Sequence, residues 1–300
     1  MSKIYIVFPV HNGIESTLSF LDDLEKQTIT NFEVIMCDDG SIDGTKEIVN
    51  KRYPDVKVLE GSGNLWWTAG INLCVKYVLQ TCDEEDFILT INNDVQIDGD
   101  YLSRKLTRAN SHPDAIFGSV CVFMTNHKLI ETSGFIMDYK KCTSRSLTKR
   151  GEVITAEHKG VKEVTHLPGK GVLLPVSVYK SVGFYDEDNL PQYHADTDLI
   201  LMAHEAGYKV YVDFDSVIYS DVNLTNMTIP SDQLTVSNVL KTFRGRYTPN
   251  NYKIIKYFGI KHFQKRWWIY VIKVYIKIIG GMLLRYIKYK LNKAITYKSM

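Results

Sequence analysis

Short apolar runs alternate with amphipathic stretches along the first hundred residues. Ile4-Tyr5-Ile6-Val7-Phe8-Pro9-Val10 is β-rich and predicts a first strand, and His11-Asn12-Gly13 a turn. Ile14, Leu18, Leu21 and Leu24 then recur at helical spacing. A second strand is expected over Asn31 to Cys37, a turn at Asp43-Gly44 and a helix over Thr45 to Tyr53. Val56 to Leu59 reads as a third strand, Gly61 to Gly70 as a loop, and about Ile71 to Leu79 as a helix. Asp86-Phe87-Ile88-Leu89 is a fourth, buried strand, and it runs into Thr90-Ile91-Asn92-Asn93-Asp94. Strands alternating with helices and ending in polar residues predict an α/β fold, a parallel sheet with helices on its faces.

Beyond Asp100 the pattern weakens. Tyr101 to Ala109 predicts a helix, Ala115 to Phe123 a strand, and Lys140 to Lys162 a polar loop or hairpin. Gly169-Lys170-Gly171 precedes a strand at Val172-Leu173-Leu174, without the spacing of a P-loop. Leu199 to Ala206 is a helix ended by Gly207. Val210-Tyr211-Val212 and Val217 to Asp221 read as strand. Residues 222 to 250 are polar, with Phe243-Arg244-Gly245-Arg246 a candidate phosphate contact.

Three hundred residues suit one large α/β domain or a domain with an appendage. The net charge of +2 hides an asymmetry: 15 of 36 basic and none of 34 acidic residues lie from Lys241 onward, leaving −13 before it. A basic tail on an acidic body points to an anionic surface partner. On a helix at 100° per residue, Arg266, Lys273, Lys277 and Lys288 fall within roughly 60°. Trp268, Val271, Ile272, Tyr275, Ile278, Ile279, Met282 and Leu283 share the opposite side, with Gly280-Gly281 allowing a break. This pattern predicts a helix lying in the interface of an anionic membrane. The competing reading packs the apolar face on the catalytic domain or a second subunit, making a homo-oligomer. Nucleic acid is not expected, because the tail is too apolar and the body acidic. No run of about 18 uncharged apolar residues predicts a clean transmembrane helix. Met1-Ser2-Lys3 and the short run after it do not resemble a signal peptide. The five Cys form no C-x-x-C pair and read as reduced thiols. A cytoplasmic protein, peripheral on the inner face of the cell membrane, is the expected location.

Asn92-Asn93-Asp94 is the first candidate for chemistry. Ligands bind beyond the carboxyl ends of strands in open parallel sheets. A carboxylate there, with an amide oxygen two residues earlier, suits Mg²⁺ or Mn²⁺, which take few protein oxygens. A simple polar turn is the plainer reading.

Further motifs tip the balance. Phe8-Pro9-Val10-His11-Asn12, Cys37-Asp38-Asp39-Gly40-Ser41, Gly63-Asn64 with Gly70-Ile71-Asn72, Asn92-Asn93-Asp94, Gly183-Phe184-Tyr185-Asp186, and Asp196-Thr197-Asp198-Leu199 with Ala206-Gly207-Tyr208 follow one another in order. Together, over about residues 3 to 220, they resemble inverting glycosyltransferases of family 2 with the GT-A fold. The Gly63-to-Asn72 loop is most similar to members that transfer rhamnose or galactofuranose in bacterial surface polysaccharides. The resemblance implies a GT-A catalytic domain over 1–225, with a nucleotide-sugar half to about 100 and an acceptor half beyond. A basic amphipathic helical region over 226–300 completes the chain.

Carried over by position, the resemblance assigns Asp39 to the pyrimidine base of the donor, with Pro9 and Asn12 lining that pocket. Asn64 and Asn72 approach the diphosphate or sugar, Trp66 and Trp67 stack on sugar or nucleotide, and Asn92 and Asn93 complete the donor set. Turn chemistry, capping and core packing are the structural alternatives for these residues. Asn92 and Asp94 take the first and third places of the Asp-x-Asp metal signature. Asp196 matches the catalytic base, although a helix cap is its other reading. Asp198 matches the last acid of the motif and is expected at the acceptor. Apart from the resemblance, the Gly-Lys-Gly turn brings Lys170 to the acceptor or diphosphate, and His194 is a second-choice base at the acceptor. Ala195 stands where the family usually has Glu, and the metal-binding His of many relatives is missing near Asp221. No Gln-x-x-Arg-Trp signature of processive synthases is present, so single-sugar transfer is expected. The donor would be UDP- or dTDP-linked, the acceptor a saccharide or lipid-linked hydroxyl. A nucleotidyltransferase or a non-catalytic sugar-nucleotide- or polysaccharide-binding protein are the rival readings. The first lacks its Gly-rich basic loop after strand one, and retention of Asp94 and Asp196 opposes the second.

Overall fold

The computed structural model describes residues 2–221 and 229–298. The chain divides into two compact units. One comprises Met1–Ile136, Arg145–Pro191 and Ala195–Thr225, the other Met137–Ser144, Gln192–His194 and Asn226–Met300.

In the first unit the expected alternation opens the chain: β1 (Ile4–Val10), α1 (Ile14–Glu25), β2 (Phe32–Asp38), α2 (Thr45–Arg52), β3 (Lys57–Glu60), α3 (Trp66–Val78) and β4 (Phe87–Thr90). Then come β5 (Val95–Gln96), α4 (Tyr101–Ser111), β6 (Ala115–Phe123) and β7 (Asn126–Thr132). A separate two-stranded ribbon follows, β8 (Phe135–Asp138) with β9 (Thr143–Ser146), of which Met137–Ser144 is assigned to the second unit. The chain returns through β10 (Val161–Glu163), β11 (Val172–Pro175), α5 (Val176–Val182), α6 (Ala195–Glu205) and β12 (Lys209–Ser220).

The main sheet has the order β10-β12-β6-β11-β4-β1-β2-β3, with β5 on β12 and β7 on β6. From β4 to β3 all neighbours are parallel, as the alternation predicts. β11 runs against both β4 and β6. Register then explains the site. Val10 lies opposite Asp38, Val7 opposite Thr90, and Val172 opposite Thr90. The carboxyl ends of β1, β2 and β4 therefore share an edge with the amino end of β11, where Gly169-Lys170-Gly171 arrives. Ser220, at the end of β12, pairs with Val95 just after Asp94 and brings a fifth element there. Phe8 of β1 meets Phe20 of α1 edge-on, 5.3 Å between centroids, within the core that backs this edge.

Two boundaries differ from expectation. α3 starts at Trp66, not Ile71, because its first N–H groups are capped by a carboxylate from another element, described below. Val210 to Asp221 was expected in two pieces; β12 is one strand with a register shift between Asp213 and Val217.

The second unit carries α7 (Val236–Arg244), α8 (Tyr252–Phe263) and α9 (Trp267–Lys298). Asn251 caps α8 by accepting from Lys253 and Ile254 N–H. Gly280-Gly281 does not break α9, which runs through both. Strong helix formers that follow, Met282, Leu283, Leu284 and Arg285, offset a cost of about 1 kcal/mol per glycine. The tail's apolar residues split in two. Tyr270 stacks on Phe263 and packs against Phe258, and Val271 is buried with them. Trp268, Ile272, Ile276, Ile279, Leu283 and Leu291 stay exposed. Within Tyr252–Asn292 an 18-residue window is apolar enough to cross a membrane by length and composition, with a mean hydropathy of 1.5 and 11% of it buried. Part of the polar stretch 222 to 250, at 222–228, lies outside the described residues.

Candidate active site

The first part of the edge is a knot of loop hydrogen bonds. Asn12, at a left-handed φ of 51°, accepts from Ile42 N–H through its side chain and donates its own N–H to Ser41 Oγ. Asp43 accepts from Ile14 and Thr45 N–H. His11 Nδ1 donates to the Asp39 carbonyl at 2.7 Å. These contacts fasten the ends of β1 and β2 together. Pro9 lies in β1 within van der Waals reach of Gly70 in α3.

Asp39 is buried, and its carboxylate accepts three backbone N–H groups, from Gly63 (2.7 Å), Leu65 (2.7 Å) and Trp66 (3.0 Å). It serves as a remote cap for α3, satisfying donors that the helix leaves open. The same carboxylate was expected on the donor's base; one lone-pair direction remains for that contact. Asn64 is exposed and accepts from the Trp66 indole at 3.0 Å. Asn72, expected near the diphosphate or sugar, is engaged by protein atoms. It is buried, donates to the Tyr185 carbonyl and Glu187, and accepts from Tyr185 N–H. Its amide locks α3 to the Gly183–Glu187 loop, with both protons engaged. Trp67 is half-buried, with its ring edge-on to Tyr185 at 5.5 Å and its indole N–H on Asn92 Oδ1 at 3.0 Å.

Asn93, expected in the donor set, donates to Thr17 Oγ1 at 2.9 Å, so its side chain anchors α1. Asp94 is different. Its Oδ1 is buried without a hydrogen-bond partner. Burial raises its pKa above the ordinary carboxylate value, while the Lys170 charge and a hydrogen bond from Asn92 oppose the shift. Lys170 donates to Ser220 Oγ at 2.7 Å and stands 3.8 Å from Glu131 Oε2. The lone buried oxygen of Asp94 fits a hard divalent cation as one carboxylate ligand. Asn92 Oδ1 retains a lone pair beside the one Trp67 uses. Among the described residues, no group of three or more His, Cys, Asp or Glu side chains is arranged to hold a metal.

Asp196 lies in the first turn of α6, and its Oδ2 accepts Gly169 N–H at 2.6 Å. A Cβ on Gly169 would come within 3.0 Å of Asp196 Cβ and 3.2 Å of the Trp67 ring, so turn, carboxylate and indole are in contact. The Gly169-Lys170-Gly171 turn thus touches the Asp196 carboxylate with one residue and sets a cation near Asp94 with the next. Asp198, expected at the acceptor, is fully buried. The 100° step of the helix turns it to the core side of α6. His194 belongs to the second unit, where its ring packs on Phe258 and faces the Pro249 carbonyl at 3.4 Å.

Sequence reasoning missed Glu131 and Ser220 beside Lys170 and Tyr185 beneath Trp67. Glu131 carries no local signal. Tyr185 lies inside a motif but was given no role, because only the fold brings it under the indole.

A twisted sheet with clustered polar strand ends, an antiparallel insertion and flanking helices defines a GT-A-type glycosyltransferase fold. Solved relatives share it: the S. aureus TarS 1–349 complex with UDP, at TM-score 0.53 and 18% identity, over 89% of this chain and 73% of that one. GalNAc-T7 with UDP, GalNAc and Mn²⁺ aligns at TM-score 0.59 and 10% identity, over 74% of this chain and 44% of that one. The family profile "Glycosyl transferase family 2" matches residues 5–161, and the chain belongs to that family. Chondroitin synthase of Escherichia coli is 32% identical over 92 residues, 28% of this chain and 13% of that protein. The N-acetylglucosaminyl-diphospho-decaprenol L-rhamnosyltransferase of Mycobacterium tuberculosis is 28% identical over 102 residues, 32% of this chain and 33% of that protein.

Proposed function

We propose that this chain is an inverting, metal-dependent glycosyltransferase. It moves a single sugar from a UDP- or dTDP-linked donor to a hydroxyl of a saccharide or lipid-linked acceptor in bacterial surface polysaccharide synthesis. The observation that carries this reading is the Gly169-Lys170-Gly171 turn. It joins Asp196, through the Gly169 N–H, to the lone buried oxygen of Asp94 beside Lys170 on one sheet edge. UDP in the TarS relative supports the donor class, and the decaprenol-linked substrate named for the M. tuberculosis relative supports a lipid-linked acceptor.

In the reaction, Asp196 takes the proton from the acceptor hydroxyl as its oxygen attacks the anomeric carbon. The bond to the nucleoside diphosphate breaks on the opposite face, so the configuration inverts. The Gly169 N–H orients the carboxylate. Asp94, with Asn92, would hold Mg²⁺ or Mn²⁺, which supplies charge neutralisation for the departing diphosphate. Lys170 adds a fixed positive charge on the same edge and orients the acceptor. Trp67, held by Asn92, offers an indole face to the donor sugar.

The exposed apolar stripe of α9, flanked by Lys273 and Lys277 and free of acidic residues, supports peripheral binding to the anionic cytoplasmic leaflet. That location suits a lipid-linked acceptor. The test of the reaction is nucleoside diphosphate release from a panel of activated sugars, with and without Mn²⁺. Release from one sugar class, dependent on acceptor, is expected. Pyrophosphate from a nucleoside triphosphate, or binding without turnover, would overturn the assignment.

A further inference from the structure

Lys105 lies on α4 in the stripe formed with Tyr101, Leu102 and Ala109, and it is fully buried. Packing at such a position calls for Leu or Met, and an ammonium there is unfavourable unless it is engaged. Its Nζ donates to the Phe117 carbonyl of β6 at 2.9 Å and to the Gly171 carbonyl at 3.2 Å. Gly171 O also accepts from Ser119 Oγ at 2.9 Å, and Ser119 Oγ is 2.8 Å from the Tyr101 hydroxyl. The single Ser119 proton goes to Gly171, so Tyr101 is the donor to Ser119. Both lone pairs of the Gly171 carbonyl are thereby filled from α4 and β6.

The clamp is tight. Gly171 has a φ of +71°, and a Cβ there would lie 2.1 Å from Ile218 Cδ1 and 2.5 Å from the Tyr101 hydroxyl. Only glycine brings the chain this close, and two residues earlier the same turn donates Gly169 N–H to Asp196. Burial lowers the Lys105 pKa to about 7, and the buried Asp213 carboxylate pushes back.

We propose that Lys105 is a positioning residue for glycosyl transfer: by holding the Gly171 carbonyl it fixes the turn that orients Asp196 and carries Lys170. This rests on the reading of the chain as a glycosyltransferase. The amine is kept for the turn and not for stability, so replacing it separates the two.

The full-length Lys105→Met protein is compared with wild type in four measurements: melting temperature, UDP affinity, turnover, and hydrogen exchange at residues 169–171. The expected result is an unchanged or higher melting temperature and unchanged UDP affinity. Turnover falls about tenfold or more at constant KM for the donor, and exchange at the turn is faster. Ser119→Ala, which removes the second donor to the same carbonyl, reproduces the turnover and exchange effects in milder form and serves if Lys105→Met does not fold. Wild-type turnover in the folded variant overturns the proposal. So does a joint fall of melting temperature, UDP affinity and turnover, or unchanged exchange at the turn. If wild type itself turns over no activated sugar, the reaction assignment fails, and the exchange measurement still decides whether Lys105 holds the turn.

Discussion

Gly169 N–H points at Asp196 Oδ2 from 2.6 Å, joining a residue just before β11 to the first turn of α6. The other oxygen, Oδ1, accepts the N–H of its neighbour Thr197 at 2.7 Å, within the first turn of the same helix.

Asp196→Asn keeps the size and the Gly169 contact but cannot take a proton. Turnover should fall about 10²–10⁴-fold while donor affinity holds, measured by steady-state kinetics and UDP titration. Near-normal turnover in folded protein would remove Asp196 from the base role.

Chelation should weaken donor binding, and Mg²⁺ or Mn²⁺ should restore it. Asp94→Ala should abolish that recovery, since it removes the buried oxygen with no other partner. Calorimetry of UDP binding in EDTA and in Mn²⁺ checks this. A donor affinity indifferent to chelator in wild type would exclude the metal role.

Asp39→Ala strips three N–H groups of their acceptor at once. A loss of about 1–3 kcal/mol is expected, with faster hydrogen exchange over residues 63–68 than elsewhere. If exchange rises uniformly across the first unit, the carboxylate is not a local cap.

Lys105 gives stability a pH signature. Its folded pKa, near 7, lies below the ordinary 10.5, so above pH 7 the unfolded chain binds the extra proton and stability rises with pH. The gain from pH 7 to 9 should be about 2 kcal/mol and should vanish in Lys105→Met. Above pH 9 the sign reverses for Cys37 and Cys121, whose buried thiols are raised to about 12, so the clean window closes there. The groups that act on the Lys105 charge are Asp213 and Cys121. Denaturant unfolding at three pH values in both proteins is the measurement.

Flotation with anionic and zwitterionic vesicles tests the tail. The full chain should float with anionic vesicles and lose this in high salt, and a chain ending at Asn251 should not float. If truncation instead dissolves an oligomer while flotation is absent, the stripe on α9 binds a second copy.

The parallel half of the fold is legible because β1 to β4 are apolar runs separated by helical periodicity. The reversal at β11 is not. A four-residue apolar strand reads the same in either direction, and only pairing decides. The early start of α3 was equally hidden, because its cap comes from Asp39, some 25 residues away in the chain. Motif positions singled out Asp94 and Asp196 as candidates, but they could not say which neighbouring amides were free. Asn72 and Asn93 sit in the same motifs and turn out to be engaged with protein atoms. The tail's periodicity announced an amphipathic helix, yet one wheel carries two apolar faces, and only packing against Phe258 and Phe263 separates them.

The four tryptophans fall in two adjacent pairs, Trp66-Trp67 opening α3 and Trp267-Trp268 opening α9, one pair in each unit. Trp67 gives its indole proton to Asn92, while Trp268 is 53% exposed. The protein therefore carries two native optical probes. Replacing Trp267 and Trp268 by Phe leaves an emission signal that reports on the sheet edge alone. The reciprocal pair of replacements leaves one that reports on the tail, so events in the two units can be followed in the same cuvette without a label.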